Sequence, residues 1–419
     1  MQNTRPGPAY EAEPREKPLE DTSTSLRLIA YYLPQFHPIA LNDAAWGKGF
    51  TEWTNVTRGL PRYVGQCQPR LPSALGFYDL RQVDVMREQA ALARRFGIHG
   101  FCFHYYWFSG EQVLQTPLAN LLRTPDLDLP FCINWANESW TRTWDGAERD
   151  VIIRQRYGPE DPKNFADAIT PILLDPRYIR VQGKPLLMFY RPGAAPEAAE
   201  MVNIWRERLR ANGVGDCYLA MAQAFDDYDP RPYGLDGACG FPPHNVGYST
   251  LTINRRMTIL DEDFSGEIHD YNDMVRAALD HQPTDYEYFP AVCPSWDNEA
   301  RKPGRGLSFH GSTPAAYEEW LYKTARNVQV GRPPQKQIVF INAWNEWAEG
   351  AYLEPDQHYG YAYLGATARA LRRAADIPLE RSISSPSADT GPNRSATAIE
   401  RARFGAARLL DQIAARLRP

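Results

Sequence analysis

The 419-residue sequence holds no apolar run approaching the roughly 18 consecutive residues that a membrane-spanning helix needs. Its first 21 residues are polar and rich in Pro and Glu, without the apolar stretch of a secretion signal, so the expected location is the cytoplasm. Charge of one sign is scarce as well: 46 Lys and Arg stand against 51 Asp and Glu, a formal net charge of −5. With no basic stripe interleaved with aromatics, nucleic acid is excluded as a partner. The six cysteines (Cys67, Cys102, Cys132, Cys217, Cys239 and Cys293) form no CxxC pair and no Cys/His cluster at zinc spacing. They read as small buried hydrophobes, and no structural metal is expected. A GxSxG elbow is missing, which removes nucleophilic serine chemistry, and no GxGxxG or other phosphate-cradling loop follows the first strand-like run. No cofactor is expected.

What the sequence does have is aromatic residues, 12% of the chain with 11 Trp and 23 Tyr, set in a regular alternation of elements. Eight β-branched or aromatic apolar runs read as strands: Leu26 to Leu33, Gly97 to Tyr106, Pro130 to Trp135, Lys184 to Tyr190, Cys217 to Ala224, Gly237 to Phe241, Phe289 to Pro294 and Gln337 to Ala343. Helical patterns follow most of them, at about Leu80 to Phe96, Pro117 to Arg123, Pro162 to Leu174, Pro196 to Asn212, Tyr271 to Asp280, Pro314 to Gln329 and Tyr359 to Ala375. Between the fifth and sixth runs, Asp226 to Leu235 is too rich in Asp, Pro and Tyr for a long helix, and a short turn is expected. Eight strands alternating with helices imply an α/β fold, a (β/α)8 TIM barrel over residues 25–380. The ends differ: 1–24 reads as a disordered arm, 381–395 as a Ser/Pro/Asn-rich linker, and 396–419 as an extra C-terminal amphipathic helix. That last helix packs on the barrel or serves a partner or a membrane surface; the oligomeric state is not encoded in any visible pattern.

In such a barrel the active site forms at the carboxyl ends of the strands. The residues after each run are polar and aromatic: Tyr31, Tyr32 and His37 after the first, with Trp53 beyond; His104 and Tyr106 at the second; Trp135, Asn137 and Glu138 at the third; Tyr190 at the fourth; then His244 and Trp296. Nine of the eleven tryptophans fall in these strand ends and loops, as a cleft offering flat apolar faces to sugar rings would require, although bracing of loops is as good an account of any one of them. The sharpest pattern follows the eighth run, where Asn345-Glu346-Trp347-Ala348-Glu349 sets two carboxylates three residues apart, with Glu354 just beyond. Glycosyl transfer needs one group to protonate the leaving oxygen and another as base or nucleophile, and aromatic neighbours raise a carboxyl pKa by desolvation. Glu138 is a second acid of this kind; it is otherwise an orienting group or an ion-pair partner of Arg142. His37, His104 and His244 with Glu138 or Asp297 lack the short paired spacing of a metal site.

Several stretches carry a resemblance: Ala30-Tyr31-Tyr32-Leu33-Pro34-Gln35-Phe36-His37, Trp46-Gly47-Lys48-Gly49-Phe50-Thr51-Glu52-Trp53, Leu75-Gly76-Phe77-Tyr78-Asp79, Trp135-Ala136-Asn137-Glu138, Phe340 to Gly350 and Leu353-Glu354-Pro355. Over about residues 28 to 372 the chain resembles the WbsX-like family, named for polysaccharide-biosynthesis proteins and related to glycoside hydrolase family 99. The resemblance implies a (β/α)8 barrel, an oligosaccharide or polysaccharide substrate, and retaining, endo-acting cleavage of α-mannosides. It further implies Glu346 as the base that deprotonates the sugar 2-hydroxyl, and Glu349 as the general acid. Ala348 stands where family 99 has His, which puts the mannose preference in doubt and spares both acids. The family name implies instead glycosyl transfer in O-antigen or capsule synthesis; a non-catalytic glycan-binding barrel is the third reading.

Overall fold

The structure, a computed structural model, describes residues 5–15, 25–142, 147–225, 227–246, 250–281, 283 and 285–376. All eight expected runs form strands of one parallel sheet: β1 (Arg27–Tyr32), β2 (Gly100–Phe108), β3 (Phe131–Trp135), β4 (Lys184–Phe189), β5 (Tyr218–Gln223), β6 (Gly237–Gly240), β7 (Tyr288–Phe289) with β8 (Ala291–Val292), and β9 (Ile338–Ile341). The order is β7-β6-β5-β4-β3-β2-β1-β9-β8. Its two ends, β7 and β8, are halves of the single seventh run, cut at Pro290, which has no N–H to give to a ladder. Tyr288 and Phe289 pair with Ala238 and Cys239, and Ala291 and Val292 with Phe340 and Ile341. The carbonyl of Pro290 accepts from Phe340 N at 2.9 Å, so the sheet closes into a barrel through this residue.

Strands covered on both faces need no polar alternation, which is why they read as continuous apolar runs. All four residues of β9 are fully buried. Successive side chains still point to opposite sides, one into the barrel and the next onto the helices. The helices that cover the outside are α3 (Val83–Arg95), α4 (Thr116–Arg123), α5 (Asp161–Leu173), α6 (Ala198–Ala211), α7 (Tyr271–Asp280), α8 (Pro314–Gly331) and α9 (Ala362–Asp376), numbered after two short ones, α1 (Ala40–Trp46) and α2 (Glu52–Thr57), in the first loop. α8 illustrates the logic: the Thr313 hydroxyl caps Ala316 N, Pro314 opens the first turn, and Tyr317, Trp320, Leu321, Thr324, Ala325 and Val328 form its buried stripe. Among the described residues between β5 and β6 the helical element is a 3₁₀ turn, Arg231–Tyr233, in keeping with its Pro- and Asp-rich sequence.

The N-terminal arm departs from the expected disorder at residues 5–15. Gly7 N donates to His358 O, Glu11 N to Tyr359 O and Tyr361 N to Glu11 O, while Glu11 pairs with Arg369 and Glu13 with Arg95. Backbone bonds plus two arginine partners offset the ordering entropy that composition alone left uncompensated. The expected linker and C-terminal amphipathic helix lie outside the described residues. Five cysteines are buried and Cys67 is half-buried, all unbridged. No helix among the described residues is long and apolar enough to cross a membrane.

Candidate active site

At the carboxyl ends of the strands the loops enclose a cavity of about 440 Å³. Its floor is the segment after β9. Asn345–Glu346 turns back as a two-residue antiparallel pair with Ala351–Tyr352, through a 3₁₀ turn at Trp347–Glu349. Gly350 closes that turn at φ +62°, and a Cβ there would sit 3.0 Å from both Arg70 Cζ and Asp297 N, so the position requires glycine on both counts. Neighbouring loops fasten the turn: Asp297 N donates to Glu349 O at 2.7 Å, Arg70 Nη1 to Gly350 O at 3.0 Å, and Ser295 Oγ also to Gly350 O.

Glu346 and Glu349 both line the cavity, joined by a residue with no recognisable pattern around it in the sequence. Arg301, in the loop after β8, donates through Nη2 to Glu346 Oε2 at 2.9 Å and through Nη1 to Glu349 Oε1 at 2.6 Å. Its Nε lies 3.3 Å from Oε2 of the fully buried Glu52, at the start of α2. One guanidinium thus meets three carboxylates. Burial works against the Arg301 charge, but the fields of Glu52, Glu349 and Glu346 outweigh it and hold the guanidinium charged. For Glu346, burial pushes the carboxyl up to about 8; Arg301 opposes this, and the charges of Glu349 and Glu52 add to it. Glu349 is raised too, by burial first, against the pull of Arg301. Three acids around one fork cannot all ionise cheaply, so this arrangement retains a proton near neutral pH.

Of the other residues singled out in the sequence, His104, Tyr106, Glu138, Tyr190, His244 and Trp296 also line the cavity. His104 Nε2 is 3.9 Å from Glu346 Oε1, and burial with the nearby Arg301 pushes its pKa down to about 4, so it faces the acids as a neutral ring. Tyr106 accepts a hydrogen bond from Gln35 Nε2 at 3.0 Å. Glu138 is ion-paired with Arg191, whose guanidinium lies 4.5 Å from the Phe225 ring centroid.

Nine expected site residues do not reach the cavity, for identifiable reasons. Tyr32 and Trp135 fall on the outward phase of their strands: the Tyr32 hydroxyl bonds Gln89 of α3 at 2.8 Å, and Trp135 stacks on Phe165 of α5 at 4.5 Å. Tyr31 points inward but lies deeper, fully buried against Phe340 and Phe241. His37 is buried in the first loop. Trp53 packs on Phe36 and donates to Tyr78 O. Asn137 staples two loops, giving to Arg191 O and taking from Arg191 N, both at 2.9 Å. Asn345 does the same with Leu33 N and O. Glu354 is a buried anchor that accepts from Trp347 Nε1 at 2.6 Å, Tyr78 Oη at 2.8 Å and Gln89 Nε2 at 2.7 Å, which accounts for Trp347 as well. Many of these aromatics therefore pack the strands against the helices or brace the loops; Trp46, Trp140 and Trp296 are the described tryptophans that line the cavity. Of the residues missed, Glu52 and Trp46 stood in a quoted motif without a role, whereas Arg301 and Lys302 had no local signal.

With this geometry in place, the sequence comparison is decisive for the family. A family model described as glycosyltransferase WbsX matches residues 28–367. The chain belongs to the WbsX glycosyltransferase family. Two proteins of Xanthomonas campestris pv. campestris, each called uncharacterized protein WxcX, are 46% identical to this WbsX member over 361 residues, covering 86% of it and 51% of themselves. The chain spans about half the length of these curated relatives. Among solved structures, a glycoside hydrolase-like protein matches with TM-score 0.55 and 16% identity over 88% of this chain and 99% of its own. The GH99 endo-α-mannosidase of Bacteroides thetaiotaomicron matches with TM-score 0.52 and 16% identity over 84% and 99%. At that identity the likeness establishes the fold, a (β/α)8 barrel of the GH99 kind.

Proposed function

We propose that the chain cleaves an α-mannoside-type glycan with retention of configuration, using Glu346 and Glu349. The observation that carries this reading is the meeting of both carboxylates on one guanidinium at the floor of a strand-end cavity. In the first step Glu346 takes the proton of the sugar 2-hydroxyl and that oxygen attacks the anomeric carbon. The bond to the leaving oxygen breaks as Glu349 gives that oxygen a proton. In the second, Glu349 takes a proton from water, whose oxygen opens the 1,2-anhydro ring at the anomeric carbon, and Glu346 returns its proton to the 2-oxygen. Protonation states recover over the cycle, and no metal enters it.

Glu346, the more deeply buried, holds the shared proton more readily before substrate binds, so this division of labour requires the proton to pass to Glu349 in the complex. A leaving group that needs no proton separates the roles. Glu349→Gln should hydrolyse α-mannosyl fluoride but not an unactivated oligosaccharide, while Glu346→Gln should hydrolyse neither. Rescue of Glu346→Gln alone would exchange the roles, and full glycan hydrolysis by both variants would sink the reading.

The family description favours a second reading, transfer from an activated sugar donor. Calorimetric binding of a nucleoside diphosphate with no hydrolysis across a panel of α- and β-linked oligosaccharides would select it.

A further inference from the structure

One corner of the cavity is built differently from the acid floor. It is formed by His244, after β6, and by Trp296 and Lys302, in the loop after β8. The His244 and Trp296 rings meet edge to face at 5.1 Å, and His244 stacks on Phe241 at 5.6 Å. The charged side chains lining the cavity are Glu138, Arg301, Lys302, Glu346 and Glu349. Four are in ion pairs, Glu138 with Arg191 and both Glu346 and Glu349 with Arg301. Lys302 forms no direct ion pair among the described residues, although its field reaches Glu349 and opposes the rise of that carboxyl. The nearest acid in sequence besides Glu299, Asp297, is committed elsewhere: both its oxygens accept from Gln66 Nε2, at 3.2 and 3.0 Å, and one also accepts from Glu299 N. Glu299 is taken by Arg62 and by Gly304 N.

A second observation is independent of charge. Trp296 is 1% exposed, and its indole N–H finds no acceptor. Burial pushes the His244 pKa down to about 3, helped by the fields of Lys302 and Arg191, so the imidazole is neutral and adds no second positive charge to the corner. A buried indole donor without an acceptor and an ammonium without a direct ion pair, in two residues that line the same cavity, offer donors to acceptor oxygens.

We infer that the His244–Trp296–Lys302 corner binds an anionic group, a carboxylate or phosphoryl, carried by the glycan beside the bond that reacts. This deepens the glycosidase reading and rests on it for the glycan. Lys302 adjoins Arg301 in the chain, so the anion sits next to the sugar that faces Glu346 and Glu349. The recognised sugar is then a uronate, an acidic ketal or a sugar phosphate, in place of a neutral mannoside.

Sulfur-linked disaccharides, which cannot be cleaved, test binding without turnover. The probes are neutral α-mannobiose in thio form, its 6-carboxylate and 6-phosphate analogues, and inorganic phosphate, titrated calorimetrically into the full chain. One charge-assisted contact should favour an acidic disaccharide over the neutral one by about ten-fold or more. Lys302→Met should abolish that preference and Lys302→Arg should keep it. The better of the two analogues identifies carboxylate or phosphoryl as the natural group. Equal binding of neutral and acidic probes, or a preference that survives Lys302→Met, overturns the corner and leaves the glycosidase reading standing. Lys302-dependent binding of inorganic phosphate with no disaccharide bound keeps the corner and removes the glycan reading. Binding of none of the probes overturns both.

Discussion

Arg301 Nη2 stands 2.9 Å from Glu346 Oε2, and the other nitrogens of the same guanidinium reach Glu349 and Glu52. A planar fork with fixed donors can hold several carboxylates in one geometry, which a lysine ammonium cannot do. The guanidinium thereby sets both the spacing of the two candidate catalytic acids and the pH at which they ionise. Breaking a buried ion pair by removing one partner costs about 3–5 kcal/mol because the stranded charge is left in a poor medium.

Arg301→Met should therefore lower the melting temperature and reduce kcat/KM by about 100-fold or more, the scale seen when a pre-set electrostatic contact is lost. Since Arg301 pulls both Glu346 and Glu349 downwards, its removal should move the acidic limb of the pH–rate profile to higher pH. Arg301→Lys should fall between the two proteins. A pH profile unchanged in Arg301→Met would show that the guanidinium has only a packing role.

Stability should depend on pH in a direction fixed by the same burial. Glu346 is raised from 4.5 to about 8 in the folded chain, so between those values the folded state binds more protons than the unfolded one. Stability is then greatest below the unfolded value and is lost as pH rises towards the folded value. Glu354, raised by burial from 4.5 to about 7, acts with the same sign over a narrower window. Thermal melts of the parent protein should fall from about pH 5 to about pH 8, and Glu346→Gln should flatten the upper part of that slope. Parallel curves for the two proteins would contradict the raised ionisation of Glu346.

The barrel was legible because its strands are covered on both faces and written as unbroken apolar runs, such as Ile338 to Ile341. The closing seam at Pro290 was not, since the sequence shows one run where the structure uses its two halves on opposite sides of the join. For the site, the Glu346/Glu349 segment was legible as a local pattern on one turn. Arg301 was not, because its partners lie 45 or more positions away in the chain and only closure of the barrel unites them. Residues such as Tyr31 and Tyr32 mark a different limit: a strand end names candidates, while the phase of the strand decides which of two neighbours faces in.

That phase is testable with one atom. Tyr32→Phe removes a buried hydroxyl that donates to Gln89 Oε1 at 2.8 Å, on the helix side of β1. It should cost about 1–2 kcal/mol in urea unfolding and leave kcat/KM unchanged. Tyr106→Phe, whose hydroxyl accepts from Gln35 inside the cavity, should lower kcat/KM with a smaller loss of stability. The reverse pattern would place Tyr32 in the site after all.

Glu354 offers a test of how the candidate acids are positioned. It is 2% exposed and accepts from three donors, Trp347 Nε1, Tyr78 Oη and Gln89 Nε2. Trp347 opens the turn that ends in Glu349, and it stacks on Tyr352 at 3.8 Å, so the carboxylate fixes one end of the turn while Gly350 fixes the other. Glu354→Ala leaves three buried donors unmatched, at about 1–3 kcal/mol for each unsatisfied group, and should destabilise the chain by roughly 3–5 kcal/mol after partial relaxation. Glu354→Gln keeps an acceptor oxygen and most of the volume, and should cost about half as much. If Glu354 acts through the turn, kcat falls in Glu354→Gln with KM little changed, and the pH profile keeps the shape set by Glu346 and Glu349. Loss of a titrating limb in Glu354→Gln would mean instead that this carboxyl exchanges protons with the substrate, which its position behind Trp347 argues against.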